Sequence, residues 1–144
     1  MKKIHNTAFI VELLLLFILL LLVIVVITQT FMNARSRSLY AKHLTEAVCL
    51  AEEVAEVSMS AAGKEEAFSL FQELEQVKSA EMKDGQIELG MDFAGETLDS
   101  YQVILIMDEE NTEQGTYVSG EIRVFFGEAE EPLYTLTTGD YKAG

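Results

Sequence analysis

AFIVELLLLFILLLLVIVVIT, residues 8–28, is an unbroken run of 21 residues whose only polar members are Glu12 and the closing Thr28. At a rise of ~1.5 Å per residue, a helix of this length covers roughly 30 Å, the thickness of bilayer hydrocarbon. An ionisable group inside such a helix costs roughly 2.5–3.5 kcal/mol at the bilayer centre and less toward an end, so Glu12 needs a partner or a task. A cleavable secretory signal competes with this reading, but its apolar core is only about 7–15 residues and ends in a small-x-small site. Here the run is longer, and a cut after Ala34 would place Met32 where a small residue is wanted. The expectation is a retained membrane anchor.

The formal net charge of −14 is unevenly spread. Residues 1–43 carry Lys2, Lys3, Arg35, Arg37 and Lys42 against Glu12, a net of +4, whereas residues 44–144 carry five basic against 23 acidic residues, a net of −18. So acidic a soluble part argues against nucleic acid and against an anionic membrane surface as its ligand. Lys2 and Lys3 favour a cytoplasmic N-terminus, while Arg35, Arg37 and Lys42 pull the other way. A single pass with the N-terminus inside and the acidic domain outside is expected, the juxtamembrane arginines snorkelling to the headgroups. The lone Cys49 has no internal disulfide partner and reads as a helix-face residue.

Proline and glycine are absent from the first 62 residues. Beyond the span, Tyr40, Leu44, Ala47, Ala51, Val54, Ala55 and Ser58 recur at helical spacing, with Lys42, Glu46, Glu52, Glu53 and Glu56 largely on other faces. This predicts an amphipathic continuation of the membrane helix over residues 29–62, stopped by Gly63. Residues 64–82 read as a second helix on the face Ala67, Leu70, Phe71, Leu74 and Val77. From Asp84 the period becomes two. Ile87, Leu89, Met91 and Phe93 alternate with polar residues; residues 101–107 (YQVILIM) suit a central strand; Val118, Gly120, Ile122, Val124 and Phe126 form a third; and residues 133–138 form a last strand, ended by Gly139. The expected fold is α+β: a long N-terminal helix, transmembrane and then amphipathic, packed on an antiparallel sheet of three to four strands, with a second short helix. Its segments are a short basic leader over residues 1–7, the span over 8–28, the helical continuation over 29–62, and the second helix with the sheet over 63–144.

Catalytic constellations are hard to find. His5 and His43 flank the span on opposite sides, and there is no nucleophile elbow, phosphate-binding glycine loop or paired-cysteine metal spacing. The acidic stretch over residues 108–113 offers carboxylate oxygens that could hold Ca²⁺ weakly, but it lacks the alternating ligands and central glycine of an EF-hand loop and reads rather as a solvated hairpin tip. Neither an enzyme nor a cofactor is expected.

The order of these features resembles the type IV pilin and pseudopilin superfamily, the local match being Ala8-Phe9-Ile10-Val11-Glu12. In that family a leader (prepilin) peptidase cuts after a glycine, and a glutamate stands fifth in the mature chain. Taking Ala8 as first makes Glu12 fifth, with Thr7 in place of the glycine and Ala8 in place of the usual phenylalanine. The C-terminal stretches Tyr101-Gln102-Val103, Gly120-Glu121-Ile122-Arg123-Val124 and Leu133-Tyr134-Thr135-Leu136 also look like the sheet of minor pilin-like proteins of Gram-positive bacteria. The resemblance implies a non-enzymatic subunit of a pilus, competence or secretion machine in a bacterial cytoplasmic membrane. Its helix would meet other pilin-like subunits, Glu12 would set assembly register against an N-terminal ammonium, and a peptidase would act at the Thr7–Ala8 junction. The alternative is a single-pass anchored binding or accessory domain that never enters a filament.

Overall fold

The computed structural model describes residues 2–93 and 100–143, and the side chains of residues 6–93 and 100–142. The chain divides between Ala41 and Lys42 into two units, which are described in turn. Helix α1, Lys2–Ser60, supplies all the described residues of the first and opens the second. In the first unit no large apolar residue of the run is buried. An apolar helix that hides nothing inside its own protein has found no core of its own.

The second unit is built on a five-stranded antiparallel sheet in the order β1-β2-β3-β4-β5. Its strands are β1 (Val77–Lys83), β2 (Gln86–Asp92), β3 (Ser100–Thr112), β4 (Gly115–Phe126) and β5 (Tyr134–Ala143). Alternation does what the pattern requires: Ile87, Leu89 and Met91, then Tyr101, Val103, Leu105 and Met107, then Val118, Ile122 and Val124 all face one buried side. Against that side lie Ala47, Leu50, Ala51 and Val54 of α1, and Ala67 and Phe71 of α2 (Lys64–Glu73). Three alanines on these helices are fully buried, and Phe71 and Leu50 are the largest of their fully buried side chains.

The sheet has one strand more than expected, because the second helix is shorter than expected. It ends at Glu73, and Leu74 turns extended (ψ 129°). The expected helix over residues 64–82 is therefore wrong beyond Glu73: Val77–Lys83 is an edge strand paired with β2. The cause is the Asp84-Gly85 turn, whose φ values of 49° and 78° are the left-handed pair that closes a two-residue hairpin. Glu66, near the start of α2, reaches back to the Ala62 N–H at 2.7 Å, and the Lys64 ammonium donates to the Gly85 carbonyl at 2.6 Å. The first ties the helix start to the link from α1, and the second pins it to the first hairpin.

Two further expectations are corrected. Gly139 does not end the last strand; it sits inside β5, opposite Ser119, with the Tyr117 ring lying where a Cβ would go. The acidic stretch from Asp108 is the exposed end of the β3–β4 hairpin, but most of it is strand rather than turn. Asp108, Glu109, Glu110 and Asn111 are strand residues, paired with Ser119, Val118, Tyr117 and Thr116, and only Glu113 and Gln114 lie between the strands. On a strand, successive carboxylates point to opposite faces and do not converge.

Candidate functional site

Two places combine polar chemistry with an unusual setting: the apolar half of α1, and the seam where α1 meets the sheet. In the first, helix formation is unopposed because no proline or glycine interrupts it, and Leu-rich sequence has high helix propensity. Large side chains from Phe9 to Ile27 are 43–63 % exposed, as on a helix that meets nothing of its own chain. The segment is long and apolar enough to cross a membrane. Glu12 stands on one side of it beside Ala8, Val11 and Leu15, and none of the ion pairs among the described residues includes it. Ala8 and Glu12, one turn apart, share a helix face, so a charge carried at residue 8 would lie next to the carboxylate. Thr7 and Ala8 lie in regular helix. The side chains of Lys2, Lys3 and His5 lie outside the described residues; Arg35 and Arg37 are exposed on α1 beyond the apolar run.

At the far end of the run the polar residues are self-sufficient. The Thr28 hydroxyl donates to the Ile24 carbonyl at 2.8 Å and the Thr30 hydroxyl to the Val26 carbonyl at 2.9 Å. Such back-bonding lets a hydroxyl sit against hydrocarbon without an unmet hydrogen bond.

The second place was not visible in the sequence. His43 and Glu46, one turn apart on α1, meet Tyr101 at the start of β3 and Phe126 at the end of β4. The His43 ring stacks on Phe126 with centroids 4.1 Å apart and planes at 29°, and Phe126 packs against Tyr101 at 5.3 Å. The Tyr101 hydroxyl donates a hydrogen bond to the Glu46 carboxylate. With that proton committed, His43 Nδ1, 3.1 Å from the Tyr101 oxygen, is the donor in their contact. Glu46 is only 6 % exposed; Lys42 lies 3.5 Å and His43 3.7 Å from its carboxylate. Glu46 was expected away from the buried face, and Tyr40 on it. The structure reverses both, for Tyr40 is 59 % exposed. The buried stripe begins at Glu46 because that carboxylate finds its partners on the sheet.

Tyr101 is 2 % exposed and Glu46 nearly buried, with His43 partly exposed at the rim, and the cluster clamps α1 to β3 and β4. Cys49 is free and exposed on α1. Two helical turns beyond Glu46, burial and the neighbouring Glu56 push the Glu53 carboxyl above its usual range. Among the described residues no group of three His, Cys, Asp or Glu side chains converges as metal ligands would. Comparisons with protein-family models, with curated proteins and with solved structures return no match.

Proposed function

We propose that this chain is a non-enzymatic, membrane-anchored, minor pilin-like subunit of a type IV pilus, competence or type II secretion-like assembly. The observation that carries the reading is α1 itself: an apolar surface that its own protein leaves bare, broken by one carboxylate, on a helix whose later turns are built into the core of an acidic α+β unit. That arrangement serves an element meant to associate with other helices in lipid. The N-terminus lies in the cytoplasm and the acidic domain outside the cytoplasmic membrane. There the excess of carboxylates keeps the domain soluble and off anionic headgroups.

Glu12 supplies register. If a prepilin peptidase cuts between Thr7 and Ala8, the new α-ammonium lies one turn from Glu12 of its own helix and within reach of Glu12 on a neighbour. Pairing offsets the desolvation of both charges, and only one axial offset between helices brings them together. Where the leader stays on, Glu12 meets the ammonium of a different, processed subunit. Lys2, Lys3, Arg35, Arg37 and Lys42 flank the span at its two ends.

A photoreactive residue in place of Leu16, near the middle of the run, tests this reading in native membranes. Discrete adducts with co-expressed pilin-like subunits are expected. Adducts with lipid alone would favour an anchored accessory domain that never assembles.

A further inference from the structure

Apolar surface on α1 does not stop at Thr28. Phe31 and Met32 are 73 % and 68 % exposed, and the hydroxyls of Thr28 and Thr30 are already bonded to Ile24 and Val26. From Ala8 to Met32 only Glu12 and Gln29 bring unmet polar groups, and those 25 residues would cover ~37 Å, more than the roughly 30 Å of hydrocarbon. We propose that the span has two depths about one helical turn apart, and that the pairing of Glu12 selects between them.

In the first setting residues 8–28 fill the hydrocarbon, Gln29 stays outside, and Glu12 lies about 6 Å within. In the second, residues 12–32 fill it, Glu12 reaches the headgroups and Gln29 is buried. Moving between them exchanges Ala8, Phe9, Ile10 and Val11 for Gln29, Thr30, Phe31 and Met32. Apolar content favours the first setting, because it buries Ile10 and Val11 in place of Gln29 and Thr30. An unpaired carboxylate favours the second, because a glutamate side chain is too short to snorkel over a full turn. Arg35 and Arg37 reach headgroups in either setting, their long stems absorbing the shift. A cation beside Glu12 removes the reason for the second setting and moves the helix by one turn toward the acidic domain. In a filament that cation is the ammonium of the proposed function, on which this clause alone rests; the two depths are properties of the isolated helix.

The test uses the full chain carrying Cys49→Ser, reconstituted at high dilution into phosphatidylcholine–phosphatidylglycerol vesicles, with a single cysteine at Ala8→Cys or Met32→Cys. N-ethylmaleimide reacts with thiolate, which forms in water and not in hydrocarbon. Adding Glu12→Gln is expected to slow labelling at position 8 and speed it at position 32, each several-fold, while Glu12→Asp keeps the parent rates. Opposite signs at the two ends mark a slide. Unchanged rates, or changes of the same sign, which tilting or local thinning would produce, overturn the proposal. Dilution removes partner subunits, so this outcome is independent of whether Glu12 pairs with them.

Discussion

Leu105→Asp is expected to abolish cooperative unfolding of the acidic unit. Leu105 lies at the middle of β3, fully buried, between Ile87 of β2 and Ile122 of β4. None of its neighbours on that face is a cation, so the new carboxylate would be buried and unpaired. Breaking charge compensation in a core costs roughly 3–5 kcal/mol, added here to the loss of leucine packing, against a total of about 5–15 kcal/mol for a domain. Ile104→Asp, one residue away on the half-buried outer face and paired with Glu88 and Arg123, should unfold at close to the parent's denaturant midpoint. Tyrosine fluorescence during urea unfolding of the full chain in detergent reads both variants. Equal losses would mean that the sheet does not have the two faces described.

The second large effect concerns the clamp. Tyr101→Phe removes the hydroxyl that serves Glu46 and leaves a 6 % exposed carboxylate short of a donor. A loss of ~1–3 kcal/mol is expected. Adding Glu46→Met should recover most of it, because two apolar groups of similar shape then replace both partners. No loss in Tyr101→Phe alone would show that the ring stack of His43, Phe126 and residue 101 holds the seam without the hydrogen bond; a loss that Glu46→Met does not recover would show that Lys42 and His43 already satisfy the carboxylate.

These two sites differ in how far the sequence reveals them. The inner face of β2, β3 and β4 is legible, since apolar and polar residues alternate over Ile87–Met91 and Val118–Val124, and the short, nearly continuous apolar run over Tyr101–Met107 between turn signals suits a central strand. The apolar run of α1 is legible for a similar reason. β1 is not, because Val77, Ala80 and Met82 suit a helix or a strand equally over so short a stretch. The turn Asp84-Gly85, not the strand itself, holds the information. Gly139 misleads because a glycine within a strand is easily taken for its end, whereas here Tyr117 occupies the space of its side chain. The clamp is hidden more deeply. His43 and Glu46 are 58 and 55 residues from Tyr101, and only the docking of α1 brings them together. A faint signal exists: His43, Glu46, Ala47 and Leu50 share one helix stripe, so an acid and a base at its head imply a polar partner in the core. Glu12, by contrast, is conspicuous in sequence, and in the structure it stands exposed on the helix in none of the ion pairs among the described residues.

The central claim, that Glu12 gives this helix its place among others, is tested most directly by crosslinking yield to partner pilin-like subunits, normalised to membrane-inserted protein, for Glu12→Gln and Glu12→Asp against the parent. Glu12→Gln should insert at least as well, since a charge is removed from lipid, yet crosslink least. Glu12→Asp, which keeps the charge on a side chain one methylene shorter, should fall between. Equal yields in all three would contradict the account and leave Glu12 a bystander on an anchored accessory domain.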